Sequence, residues 1–132
     1  MENRIVPTQI LNFKAKQISA GVNYSIFIDF NDNVWSFGLN DDGQLGLGDN
    51  LNRIIPTQII NIKAKQVSAG WHSSSLIDMN YGLWLFGSHI RKKVISSTPI
   101  LVNNLKVYQV SEGSTHIMMI ATKIENLDIV SE

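Results

Sequence analysis

"NRIVPTQILNFKAKQISAG", Asn3 to Gly21, returns 49 residues later as "NRIIPTQIINIKAKQVSAG", Asn52 to Gly70, its substitutions apolar for apolar. A self-match of this length makes the chain a repeat array before any element is assigned. The register continues without a gap through Asp29/Asp78, Asn31/Asn80, Trp35/Trp84, Phe37/Phe86 and Gly38/Gly87. A third copy, "TPILVNNLKVYQVSEGSTHIMMI" from Thr98 to Ile120, follows at an offset of 43, with Pro99 matching Pro56 and Gly113 matching Gly70. The six missing residues fall between Gly87 and Pro99. In that interval the first copy carries "GLNDDGQLGLGD", Gly38 to Asp49. The chain is therefore one array, with repeats over about 3–51, 52–97 and 98–120 and a tail over 121–132.

Within a repeat the segments are short, rich in isoleucine, valine and aromatics, and separated by Gly, Asn and Asp, the composition of strands and turns. Four strands are expected in the first repeat: Ile5 to Leu11, Lys16 to Ala20, Tyr24 to Asp29 and Asn33 to Phe37, with a hairpin turn at "DFNDN", Asp29 to Asn33. A period near fifty residues with four short strands describes a blade that buries its face on the next blade. The fold class read from the sequence is all-β, an incomplete β-propeller of four-stranded blades forming an open arc of two to three blades, with almost no helix.

Two motifs give the array a family resemblance. The first is an apolar residue, two small residues, Gly-x-x-His and an apolar run, present as "ISAGVNYSIFI" from Ile18, "VSAGWHSSSLI" from Val67 and "VSEGSTHIMMI" from Val110. The second is Trp-x-x-Gly-x-Asn-x-x-Gly-Gln-Leu-Gly-x-Gly, complete from Trp35 to Gly48. The chain resembles the repeat family named after the regulator of chromosome condensation, a family of seven-bladed propellers. The matching signature positions are Gly21, Gly38, Asn40, Gly43, Gln44, Leu45, Gly46, Gly48, Gly70, Gly87, Gly113 and His116. The family histidine is replaced by Tyr24 in the first copy and Ser73 in the second, Glu112 stands where a small residue is usual, and "SHIRKKVISS", Ser88 to Ser97, replaces the second glycine loop. These departures read as drift at structural positions.

The glycine loop invites other chemistry. A phosphate loop needs lysine after its second glycine, where Gln44 stands, and a helix to follow. A calcium loop with its glycine at Gly43 needs an oxygen ligand where Gly38 stands and a closing glutamate where Asp49 stands. The tight turn Asn40-Asp41-Asp42-Gly43 followed by two glycines reads instead as a structural joint between blades. His72, His89 and His116 lack ligand spacing, the serines of "HSSSL" have no strand-turn-helix elbow, and Asp41-Asp42 has no apolar setting to raise a carboxyl pKa. Neither catalytic residues nor a metal or cofactor site are read here. Trp71 has no aromatic counterpart in the other copies, and Arg91, Lys92 and Lys93 form the one basic cluster; these four are the candidate contact residues.

Length and composition bound the function. With 132 residues, 44% of them hydrophobic, the chain reads as one globular unit. A formal net charge of zero gives no pull toward nucleic acid, and no apolar run is long enough to span a membrane. The absence of cysteine excludes disulfides and thiolate sites. A soluble intracellular protein is expected, its compartment open between nucleus and cytoplasm.

At a 49-residue period the chain holds roughly 2.7 repeats, too few for a ring of about four to eight blades. A fragment or relic of a longer array, an assembly with further copies that closes the propeller, and a short arc capped by its tail all remain open, and stability should be marginal. Function is read as a non-enzymatic protein-interaction module with an unknown protein partner. The resemblance implies two alternatives, a guanine-nucleotide exchange factor for a small GTPase and a chromatin-binding protein. Exchange by the founding type uses a complete face and a projecting β-wedge, for which no counterpart is read here.

Overall fold

The computed structural model describes residues 4–89 and 94–123, which form nine strands and no helix. They are β1 (Ala15–Ala20), β2 (Tyr24–Asp29), β3 (Asn33–Gly38), β4 (Arg53–Ala69), β5 (Ser73–Asp78), β6 (Leu83–His89), β7 (Val94–Val102), β8 (Leu105–Glu112) and β9 (Ile117–Lys123). Every neighbouring pair is antiparallel. The pairing defines three blades of an incomplete propeller. Blade one is β1-β2-β3 and the first part of β4, blade two is the rest of β4 with β5-β6-β7, and blade three is β8-β9.

Blades and sequence repeats are out of phase. Arg53 to Lys63 of β4 pairs with β3 as the outer strand of blade one, whereas Ala64 to Ala69 pairs with β5 as the inner strand of blade two. The expected strand Ile5 to Leu11 is the repeat equivalent of that outer part, and it is not a strand here. Among the described residues no strand pairs with it, and an extended segment becomes a strand only by joining a ladder. The segment Ser88 to Ser97, read as a loop, carries the end of β6 and the start of β7, which pair from His89 and Val94 outward.

Hairpins within the blades are fastened by one device used twice. Asp29 accepts hydrogen bonds from the backbone of Asn31 and Asn33 and from Trp35 Nε1 at 3.0 Å. Its repeat equivalent Asp78 accepts from Asn80, Gly82 and Trp84 Nε1, the last at 2.7 Å. The turns carry left-handed backbone at matching sites: Asp32 and Tyr81, and Asn12, Asn61 and Asn104. Asparagine and aspartate tolerate this region. Burial opposes ionisation of Asp29, but the hydrogen bonds from Trp35, Asn33 and Asn31 outweigh it and hold its carboxyl below the ordinary value of 3.8.

Blades pack face to face. Between blades one and two the core holds Ile26, Ile28, Val67, Leu76 and Phe86; between two and three it holds Ile77, Leu83, Leu85, Val107 and Val110. Polar side chains stitch the same junctions. Val67 N donates to Gln17 Oε1 at 2.8 Å and Ala69 N to Ser19 Oγ at 2.9 Å; one blade on, Val110 N donates to Gln66 Oε1 at 2.9 Å and Glu112 N to Ser68 Oγ at 2.8 Å.

The departures from the family pattern also lie at these junctions. Tyr24, buried at the histidine position, donates from its hydroxyl to Ser73 O at 2.5 Å and accepts from Gly70 N at 3.0 Å, and burial pushes its phenol pKa up. Across the next junction Ser73 Oγ donates to Glu112 Oε2 at 3.0 Å, while Glu112 Oε1 lies 3.0 Å from His89 Nε2. The side chains of His89 and Glu112 are only 3% and 1% exposed, so among the described residues their contacts with each other and with Ser73 are what compensates their loss of water.

Two outcomes follow. Asp29 has a depressed folded-state pKa, so its contribution is present above 3.8 and is lost as pH falls through the lower folded value. Urea denaturation between pH 5 and pH 3, as round settings spanning about one unit either side of the carboxylate range, should show falling stability with a shallower slope for Asp29→Asn. Glu112→Ala should cost about 3 kcal/mol in the same assay at neutral pH, because it strands His89 and Ser73 at a buried junction.

Candidate interaction surface

Three equivalent connections line one end of the arc. Each is a tight turn that opens on a signature glycine: Gly21 N donates to Tyr24 O, Gly70 N to Ser73 O and Gly113 N to His116 O, at 2.8–2.9 Å. These glycines sit where successive blades nearly touch. A Cβ on Gly70 would lie 2.6 Å from Gly113 O, so no other residue fits without separating blades two and three. His116 is exposed beside Gly113. The residue after each glycine points a different chemistry outward: Val22 is 39% exposed, Trp71 is 55% exposed, and Ser114 is exposed.

The glycine loop reaches the same end. Gly38 at the end of β3 and Gly87 near the end of β6 have positive φ, and the residues that follow them donate from Leu39 N to Asn23 O and from Ser88 N to His72 O, each at 2.8 Å. Asn40 is fully buried and organises the loop. Its Nδ2 donates to Asp49 O and Leu51 O at 2.9 and 3.0 Å, and its Oδ1 accepts from Leu45 N at 3.0 Å. Gln44 Oε1 accepts from Asp42 N, and Gln44 O accepts from Ser74 Oγ of blade two at 2.7 Å. Leu45 is buried in the core between blades one and two, Gly46 lies against Phe86, and Gly48 N donates to Ser97 O. Gly43 has φ +76° and would place a Cβ 2.7 Å from Ser97 Cα, so both backbone and space require glycine there.

This loop therefore joins blade one to blade two, and four of its amides are taken up within the loop: Gly43 N meets Asn40 O, Gly46 N meets Gly43 O, and the amides of Asp42 and Leu45 meet the side chains of Gln44 and Asn40. Its end is fastened by a two-pronged contact from Arg53 to Asp49, with Nη2 2.7 Å from Oδ2 and Nη1 3.1 Å from Oδ1. The Arg53 hydrogen bonds, followed by that from Leu51 N, hold the Asp49 carboxyl below its ordinary range.

Two loops of this end meet in a polar contact, His72 Nδ1 lying 3.0 Å from Asp42 Oδ2, both side chains partly exposed. Trp71 thus stands on the turn beside an exposed His–Asp pair. Arg91, Lys92 and Lys93 lie outside the described residues. Among the described residues no three of His, Asp and Glu are gathered where they could hold a metal, and no helix is long and apolar enough to cross a membrane. The His72–Asp42 pair was not legible in the sequence, because its members come from different repeats 30 residues apart.

The comparisons agree with the repeats. Two family models described as Regulator of chromosome condensation (RCC1) repeat match, over residues 31–77 and 15–44. Among curated protein sequences none matches the chain. Among solved structures the chain is similar to human WBSCR16, with 21% identity, 89% of this chain and 33% of that chain covered, and a TM-score of 0.75. It is also similar to Prp20p of Saccharomyces cerevisiae, a structure described together with that protein's binding to Gsp1p and histones, at 18% identity, 90% and 33% coverage and a TM-score of 0.77. A chain from the complex of Kap60 with yeast RCC1 (Prp20) matches at 21% identity, 80% and 30% coverage and a TM-score of 0.69. The chain spans about one third of the length of these structures. Identities this low speak for the fold alone, and that fold is the one the blades build. Internal repeats, motifs and the matches over residues 15–77 together place regulator of chromosome condensation repeats in this chain.

Proposed function

We propose that the chain is a non-enzymatic, intracellular protein-interaction module that binds its partner through the loop end carrying Trp71. The observation that carries this reading is the exposure of Trp71, 55%, at a loop position occupied by Val22 and Ser114 in the adjoining blades. A large aromatic ring held out by a rigid turn is the residue type that dominates protein interfaces. Loops positioned by a rigid scaffold carry binding in repeat proteins. Self-association that extends the arc belongs to the same reading.

Exchange activity on a small GTPase is the second reading, favoured by the similarity to Prp20p, which is described as binding Gsp1p. Chromatin binding has the same source, since Prp20p is described as binding histones, and the zero net charge weighs against a salt-dependent contact with DNA.

Three assays separate these readings. The interaction module retains a protein partner on an affinity column, leaves GDP release from a panel of small GTPases unchanged, and does not shift nucleosomes. Trp71→Ala should weaken the retained partner about tenfold to a hundredfold, a loss of about 1.4–2.8 kcal/mol, without altering the β spectrum or the unfolding midpoint. Accelerated GDP release would replace the module reading with exchange, and retention unaffected by Trp71→Ala would move the contact elsewhere.

A further inference from the structure

We propose that the chain assembles head to tail with a second copy of itself, the outer face of β8-β9 in one chain seating in the groove beside β1 of the next. The proposal rests on the self-association included above and deepens it by naming both faces and their polarity. A groove of about 340 Å3 on the open side of blade one is lined by Ile10, Phe13, Ile18, Phe27 and Phe37. One repeat on, the equivalent residues are Ile59, Ile62, Val67, Leu76 and Phe86; four of them belong to the core between blades one and two, and Ile62 packs against it. The groove thus presents the residue set that, one repeat on, forms the receiving side of a blade junction.

The side chains that fill that junction have equivalents too. Ile26 and Ile28 project into the core between blades one and two, each 0% exposed. Their equivalents on blade three, Met118 and Ile120, are 69% and 61% exposed. On the groove side Ile18 is 77% exposed, while its equivalents Val67 and Val110 are 4% and 2% exposed. Each end of the arc therefore presents one half of an interface that the chain builds internally twice.

Polar groups fix the direction. At both internal junctions a glutamine and a serine of the earlier blade accept from backbone amides of the later one: Gln17 and Ser19 from Val67 and Ala69, then Gln66 and Ser68 from Val110 and Glu112. The next acceptors in the series, Gln109 and Ser111, are exposed on blade three, and the matching amides are those of Ile18 and Ala20 on blade one. Blade three offers acceptors and protruding side chains; blade one offers donors and a groove. Such faces are complementary to each other and not to themselves, so the contact is heterologous and not two-fold.

Ile18→Arg and Ile120→Arg, both at exposed positions, test this in the full chain by light scattering coupled to size exclusion, with far-ultraviolet spectra confirming β structure. The unsubstituted chain should exceed its 14.8 kDa monomer mass increasingly with concentration. Each variant alone should remain monomeric, and an equimolar mixture should form a dimer, because Ile18→Arg keeps the β8-β9 face and Ile120→Arg keeps the groove. Gln109→Ala, which removes only an exposed amide, should weaken assembly about fivefold even if an arginine variant fails to fold. A monomer at every concentration, variants that assemble like the unsubstituted chain, or a mixture that stays monomeric would overturn the proposal. If the mixture fails while partner retention still depends on Trp71, the interaction reading stands and only the head-to-tail contact is lost.

Discussion

A blade in this protein has two apolar faces and cannot cover either by itself. Everything else in the structure follows from that constraint. Burying a large aliphatic side chain is worth about 1.5–3 kcal/mol, and the two internal junctions bury Ile26, Ile28, Val67, Leu76, Phe86, Ile77, Leu83, Leu85, Val107 and Val110. The signature glycines serve the same end, for they allow neighbouring turns to approach to within a backbone's width where Gly70 meets Gly113. Polar stitching by glutamine and serine adds register, because each accepts from one particular amide of the next blade.

The departures from the family pattern answer one another. Tyr24, at the histidine position, reaches the backbone of the next blade with its hydroxyl, donating to Ser73 O and accepting from Gly70 N. Glu112 introduces a carboxylate at a site where small residues are usual, and it is accommodated because His89 and Ser73 converge on its two oxygens. His89 belongs to the segment that replaced the second glycine loop. One irregularity has been absorbed by another in the adjoining blade.

Much of the fold was legible in the sequence because repetition exposes it. The period, the strands Tyr24–Asp29 and Asn33–Gly38 and the Asp–Trp pairs all stood at matching positions, and each depends on residues close together in the chain. What was not legible depends on neighbours distant in sequence. Ile5 to Leu11 has the composition of a strand, yet strand formation needs a partner that these blades do not provide. The Glu112–His89 contact joins residues 23 apart in two different departures, and no local pattern announces it. At the loop end, Trp71 could be singled out because it broke the repeat, whereas the neighbouring His72–Asp42 pair required the loops to be placed side by side.

The long strand β4 gives its first part to blade one and its second to blade two. A duplication of the 49-residue unit therefore copies neither blade whole: it copies the outer edge of one and the inner body of the next. Each new unit arrives already stapled to its predecessor by a continuous backbone ladder, and blade one loses its outer strand if the chain is divided at the repeat boundary before Asn52. Growth by duplication and mechanical continuity along the arc are thus the same property, because the unit that is inherited overlaps two of the units that pack.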